Sequence, residues 1–121
     1  MAKNFVRYWV PFYAYAALIF YLSSLSKVLP EIDIPSFDKF LHVIEYGVFG
    51  ILAIRAFKNS KKAILKKHFG SIAILVSILY GISDEAHQAF VPGRYFSYLD
   101  MVFDTIGSIM GVLIYGRYYS F

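Results

Sequence analysis

An uninterrupted stretch of 18 uncharged residues, 8–25, is the feature that most constrains this chain. Lys3 and Arg7 precede it, and its length approaches the roughly 20 residues that a helix needs to cross a bilayer. A signal peptide is the competing interpretation, because small residues at 24–26 have the spacing of a cleavage site. The run is long for a signal peptide and bulky aromatic residues crowd its end. We therefore predict a retained transmembrane helix.

Three further apolar stretches, at residues 40–57, 69–90 and 98–118, are long enough to cross a membrane only with their internal polar residues included. Composition agrees, because 59% of the 121 residues are hydrophobic, against roughly 45–50% in soluble domains. The sequence predicts an all-α fold, an integral membrane bundle of four transmembrane helices. We expect a single domain over residues 1–121, with helices near 5–25, 40–57, 69–90 and 98–118.

Composition also excludes several kinds of site. The chain has no cysteine, which removes disulfides, thiol nucleophiles and thiolate metal ligands. Its net charge of +4 is not arranged as a nucleic-acid module, so we expect no nucleic-acid partner.

The charged residues indicate how the bundle is oriented. Five lysines lie between residues 58 and 67, and the positive-inside rule predicts that this loop is cytoplasmic. Both termini then lie inside as well. All eight acidic residues fall in the opposite, extracytoplasmic half. Acidic residues have little weight in the rule, so their separation needs a cause of its own.

On the second helix, Asp38, His42 and Glu45 are spaced four and three residues apart and share one face. Asp38 has a structural alternative, because it falls in the first turn after Ser36, a suitable N-cap. Glu45 lies on the order of 10 Å further along the helix, where a carboxylate needs a partner or a proton. A neutral, hydrogen-bonded Glu45 is the alternative to a functional one.

The third helix ends with Asp84, Glu85 and Gln88. Two carboxylates at a helix C-terminus oppose the helix dipole, so they need compensation from Arg94, a protonated histidine, or a bound metal or ligand. The guanidinium of Arg94, in a Pro-Gly turn, suits a phosphate or carboxylate.

The fourth helix opens with Ser97 and Asp100 at capping-box spacing, which offers Asp100 a structural role. Asp104 is one turn deeper, beyond any cap. Gly107 and Gly111 follow on the same face and predict a close helix contact.

Together these residues offer carboxylate, imidazole, amide and guanidinium groups. We predict catalytic roles for Glu45, Asp84, His42 and Asp104, and ligand binding by Arg94, Gln88, Glu85, Asp38 and Asp100. The donors suit Zn²⁺, Mn²⁺ or Mg²⁺, although no spacing is diagnostic. A divalent metal is therefore a hypothesis, with His42, Glu45, Asp84 and Asp104 as its candidate ligands.

Several of these stretches resemble the VanZ-like family of bacterial membrane proteins. They are residues 20–24 (FYLSS), 38–42 (DKFLH) with Tyr46, and 80–94 (YGISDEAHQAFVPGR), continuing to Asp100 and Gly107. The resemblance covers nearly the whole chain. It implies a bacterial multi-pass protein whose namesake confers low-level resistance to the glycopeptide teicoplanin. Asp104 stands where the family often has Asn.

We expect a protein of the bacterial cytoplasmic membrane whose polar site faces outward and binds or modifies an anionic, lipid-linked cell-envelope molecule. An enzyme of this kind would use a carboxylate or His42 as general base. A non-enzymatic membrane scaffold is the first alternative, and a proton- or cation-coupled transporter is the second. Membrane lipids and a lipid-linked envelope precursor are the expected partners, and the oligomeric state stays open.

Overall fold

The computed structural model describes residues 2–25, 37–93 and 96–119. Every regular element in these ranges is helical, and four helices are long and apolar enough to cross a membrane. They are the first to fourth membrane helices, which span Phe5–Ser23, Phe37–Lys58, Phe69–Gln88 and Tyr98–Tyr118. A short helix, Ala63–Lys67, precedes the third. The predicted all-α bundle of four transmembrane helices is confirmed.

The first membrane helix changes its winding near its start. Phe5–Trp9 is a π-helical segment, followed by the α-helical Val10–Ser23. Pro11 explains the change, because proline has no N–H for the carbonyl four residues earlier and its ring crowds that carbonyl. The carbonyl belongs to Arg7, and it accepts a hydrogen bond from Arg55 Nη1 at 2.8 Å. The first and second helices are thereby joined at this end.

The second and fourth membrane helices meet backbone to backbone. A Cβ atom added to Gly107 would lie under 3.0 Å from the carbonyl oxygen of Val43, and one added to Gly111 would overlap Gly47 in the same way. A Cβ on Gly50 would lie 2.7 Å from the carbonyl oxygen of Ser108. Small residues allow this approach between membrane helices. The predicted close contact at Gly107 and Gly111 is confirmed.

Aromatic side chains fill the space between the first three membrane helices. Phe49 stacks on Tyr80 with ring centroids 4.9 Å apart, and Phe12 lies 5.3 Å from Phe49 on the other side. The Tyr80 hydroxyl donates to the carbonyl of Ala16, and the Tyr15 hydroxyl donates to the carbonyl of Glu45 at 3.0 Å. Tyrosine thus packs as a large apolar group while its hydroxyl joins two helices.

The outer surface of the bundle is apolar. Large side chains such as Leu75, Leu79 and Leu113 are more than half exposed. In water so many exposed apolar residues would promote aggregation, whereas lipid tails are as apolar as leucine. This surface is therefore the one that faces the membrane.

Charges are separated between the two ends of the bundle. The start of the second and fourth helices and the end of the third meet at one end, which we call the acidic end. Its described acids are Asp38, Glu45, Asp84, Glu85, Asp100 and Asp104. The loop 59–68 and the N-terminal residues form the opposite, basic end. The predicted segregation of acidic residues is thus present in the folded chain, while Glu31 and Asp33 lie outside the described residues.

Candidate functional site

Asp84 receives hydrogen bonds from two other helices. The Ser23 hydroxyl, at the end of the first helix, donates to Asp84 Oδ1, and the Tyr46 hydroxyl of the second helix donates to Oδ2 at 3.1 Å. All three side chains are buried. Asp84 was predicted to need a cation or a ligand, but here neutral hydroxyl donors satisfy both of its oxygens. Neither Ser23 nor Tyr46 was among the predicted site residues.

Glu85 is fully buried, at 0% exposure, one residue further along the third helix. Its Oε1 accepts a hydrogen bond from the backbone N–H of Ser97 at 3.2 Å. The hydroxyl of Ser97 in turn caps the fourth helix by accepting from the N–H of Asp100 at 3.1 Å. The predicted capping box is therefore only half formed. The Ser97 hydroxyl accepts from the Asp100 N–H, but the Ser97 N–H donates to Glu85 instead of to the Asp100 side chain.

The Asp100 side chain, released from capping, pairs with the second helix. Lys39 Nζ donates to Asp100 Oδ1 at 2.5 Å and to Asp38 Oδ2 at 2.8 Å. His42 Nε2 lies 3.6 Å from Asp100 Oδ2. The Lys39 side chain is only 13% exposed, so this lysine is a largely buried member of the site that the sequence did not single out.

His42 also contacts Asp104. Its Nδ1 lies 2.6 Å from Asp104 Oδ1, and the Asp104 residue is 1% exposed. Gly81 of the third helix makes room for this carboxylate, because a Cβ there would lie 3.3 Å from Asp104 Cβ and 3.4 Å from Oδ2. His42, predicted on one helix face with Asp38 and Glu45, thus has its imidazole Nδ1 against a buried acid of the fourth helix.

The remaining predicted residues fall into three situations. Gln88 is buried at the end of the third helix, and the Asp38 side chain is 65% exposed at the rim. Glu45 is half-buried on the second helix. Arg94 lies outside the described residues, and so does Ser36, the predicted N-cap of the second helix. The structure thus brings His42, Asp84, Glu85, Asp100 and Asp104 together, with Asp38 at the edge.

Two sets of three residues place one ligand atom each within 4.8 Å of one another. They share Glu85 and consist of His42, Glu85 and Asp100, and of Asp84, Glu85 and Asp104. Within the described chain, Glu85 Oε2 and Asp104 Oδ2 are buried and accept no hydrogen bond. A buried carboxylate oxygen without a donor is unfavourable by several kcal/mol, on the order of the cost of desolvating a charge. Both unpartnered oxygens belong to the all-carboxylate set.

The four carboxylates at 84, 85, 100 and 104 outnumber the basic groups that contact them. Among the described residues these basic groups are Lys39 and His42, which leaves an excess of two negative charges if His42 is protonated and all four acids are ionised. Carboxylate oxygens suit Mg²⁺ or Mn²⁺, and the His42 set also suits Zn²⁺. The residues therefore fit a divalent cation in number, type and separation.

Tyr46 and Ser23 show which signal could have extended the predicted site. Both lie within the stretches that resemble the VanZ-like family, and both carry a hydroxyl group within a membrane helix. Buried hydroxyls require partners, so a pair of them level with Asp84 on neighbouring helices indicates a hydrogen-bonded carboxylate.

Comparisons with known proteins bear on the family of this chain. Neither the curated proteins nor the solved structures contain a match. The VanZ/LLP1 family model matches residues 2–119, nearly the whole chain and every described residue of the site. The resemblance seen in the sequence is therefore confirmed, and this multi-pass membrane protein belongs to the VanZ/LLP1 family.

Proposed function

We propose that the acidic end binds a divalent cation and, through it, the anionic head group of a lipid-linked cell-envelope molecule. One observation carries this proposal: Glu85 Oε2 and Asp104 Oδ2 are buried oxygens without a donor among the described residues, inside a set of three closely spaced carboxylates. A cation bound there would remove the cost of burying both. It would also explain why so many acids gather where no helix cap requires them.

The same charge balance explains why the cation is needed for an anionic ligand. A site with excess negative charge repels a phosphate, whereas Mg²⁺ held by one or two carboxylates completes its coordination with phosphate oxygens. Arg94, predicted beside the site, would supply a second contact to the ligand. A lipid-linked molecule suits this location, because the site lies at the ends of the helices and its ligand's chain can stay in the bilayer.

The arrangement also offers chemistry to a bound ligand. A divalent cation polarises a phosphoryl or carbonyl oxygen and acidifies bound water. His42, oriented by Asp104 through its Nδ1, has its Nε2 edge toward Asp100, and an imidazole held in this way can act as a general base. Binding and modification share their first step, the capture of the anion by the cation, so that step is the one to test.

Binding can be measured with purified protein and a defined probe. We expect a polyprenyl diphosphate to bind in the presence of Mg²⁺ or Mn²⁺, while the uncharged polyprenol of the same length binds weakly. Chelator should abolish the difference. Glu85→Gln and Asp104→Asn should each weaken diphosphate binding at least tenfold, about 1.4 kcal/mol. Ser83→Ala is the matched control, because Ser83 is exposed beside Asp84 and its hydroxyl donates to the Tyr80 carbonyl of its own helix.

Equal binding of the diphosphate and the polyprenol, or diphosphate binding that chelator does not change, would contradict the proposal. The family name also suggests a cellular readout. We propose that expression of this chain raises tolerance to teicoplanin through the same site, and Glu85→Gln should then lower tolerance at equal protein level.

We further propose that the acidic end faces outward from the bacterial cytoplasmic membrane, with both termini inside. The lysines of the 59–68 loop support this orientation. Because the chain has no cysteine, single cysteines report accessibility directly. A membrane-impermeant thiol reagent should label Tyr98→Cys in intact cells, and it should label Lys62→Cys only after permeabilisation. Labelling of position 62 in intact cells would reverse the orientation.

A further inference from the structure

The basic end contains two adjoining cavities that the proposed function does not use. The first, of about 520 Å³, is lined mainly by apolar and aromatic side chains, including Trp9, Phe12, Tyr13 and Leu65. The second, of about 640 Å³, is lined mainly by polar groups and includes three lysines, Lys58, Lys61 and Lys66. Asn4, Asn59, Ser60 and Lys61 line both cavities, so the two lie side by side.

From these cavities we infer a binding site for one anionic phospholipid at the basic end, with its head group against the lysines and an acyl chain among the aromatic residues. The two cavities match the two halves of such a molecule. An apolar cavity alone would accept any lipid, and a lysine cluster alone would accept any anion. Because the two cavities share a rim, a ligand with both a negative head group and a long apolar chain can occupy both.

Charge complementarity favours an anionic rather than a zwitterionic lipid. The sequence contains no acidic residue between Glu45 and Asp84, none before Glu31 and none after Asp104. Neither cavity is lined by an acid, and Lys62 is among the residues that line the apolar one. Lysines near an anionic membrane surface each contribute about 1 kcal/mol of attraction, and basic pockets between membrane helices are known to take anionic head groups.

Two local contacts position residues that line this site. The Ser60 hydroxyl accepts a hydrogen bond from the Lys62 N–H at 3.1 Å, which fixes the turn that carries the lysines. Trp9 packs edge-on against Phe57, with ring centroids 5.5 Å apart, and the two rings form a wall of the apolar cavity. Trp residues also prefer the level of the lipid head groups. We therefore expect the wall and the lysines to lie at the depth where the head group of a phospholipid joins its acyl chains.

Native mass spectrometry and thermal melting of the detergent-solubilised protein test this site. Phosphatidylglycerol should bind and raise the melting temperature, whereas phosphatidylcholine with the same acyl chains should do neither. Lys61→Gln and Lys62→Gln should each weaken phosphatidylglycerol binding about fivefold, which corresponds to about 1 kcal/mol. Lys67→Gln is the matched control, because it removes the same charge from the same loop but lines neither cavity.

Two results would overturn the inference. One is equal binding of the two lipids by the wild-type protein, and the other is a loss in Lys67→Gln as large as that in Lys61→Gln. Soluble glycerophosphate provides a check on the apolar half: if it competes as well as the intact lipid, the acyl chain is not bound. The inference is independent of the acidic end, since Lys61→Gln should leave binding of the polyprenyl diphosphate unchanged.

Discussion

His42 and Asp104 are in direct contact across the acidic end: the imidazole Nδ1 lies 2.6 Å from Asp104 Oδ1 and joins the second membrane helix to the fourth. The same two helices are in backbone contact at Gly107 and Gly111. The backbone segments that carry His42 and Asp104 therefore cannot easily separate. The two side chains of a buried hydrogen bond of this kind are expected to be energetically coupled, so that their effects on stability are not independent.

The first prediction follows from this pair. His42→Gln and Asp104→Asn should each destabilise the protein, and the double variant should be less destabilised than the sum, with a coupling of about 0.5–3 kcal/mol. Reversible unfolding in mixed detergent micelles measures all three free energies. Strict additivity would show that the two side chains do not share an interaction.

Lys39 leads to a prediction with a defined sign. It occupies Asp100 as an internal cation, so Lys39→Gln should make the acidic cluster more negative and tighten its binding of Mn²⁺ several-fold. Metal-dependent melting temperature reports this change. Weaker Mn²⁺ binding in Lys39→Gln would indicate that the lysine organises the ligands rather than competing for them.

Tyr46→Phe should destabilise the protein by about 1–3 kcal/mol, because it leaves a buried oxygen of Asp84 without its donor. Tyr15→Phe is the comparison. The Tyr15 hydroxyl donates to the backbone carbonyl of Glu45, which lies inside a helix and has a helical N–H as a second partner. Its loss should therefore be smaller in the same unfolding measurement. Equal losses would show that the Asp84 oxygen is satisfied in another way.

Gly111→Ala should separate the second and fourth helices. The added Cβ would overlap the carbonyl of Gly47, and overpacking of this kind costs about 1–3 kcal/mol. Gly47→Ala is a close control on the facing helix, because its Cβ would lie an ordinary 3.5 Å from the Gly107 carbonyl oxygen. We expect a lower melting temperature for Gly111→Ala only. A stable Gly111→Ala would mean that the helices can shift without cost.

The sequence predicted the membrane helices because each crossing requires a long apolar run, and only four such runs exist. It also located the acids at one end, since the spacing of charges along a helix fixes their depth. The spacing of Ser97 and Asp100 predicted a helix cap, and the Asp100 N–H does donate to the Ser97 hydroxyl. The spacing of Gly107 and Gly111 predicted a close helix contact, and Gly111 does lie against Gly47. The position of a residue along a membrane helix, and the motifs formed by closely spaced residues, can thus be predicted from the sequence of that helix alone.

Partners on different helices were not predictable in this way. Ser23 and Asp84 are 61 residues apart, and their contact depends on how each helix is rotated in the bundle. Lys39 is adjacent to Asp38 on the second helix, and the position of the fourth helix decides which of the two points inward. The hydrogen bond from the Ser97 N–H to Glu85 depends likewise on the turn between two helices.

The backbone contact between the second and fourth helices bears on how the protein responds to bilayer thickness. A bundle in a thinner or thicker membrane adapts by tilting its helices, at a modest cost for each ångström of mismatch. The pair that touches at Gly107 and Gly111 can tilt only as a unit, whereas the first helix is 11% buried over its apolar window and is held to its neighbours by side-chain contacts, which adjust more easily than a backbone contact. Changes in lipid chain length should therefore alter the Ser23–Asp84 contact before they alter His42 and Asp104.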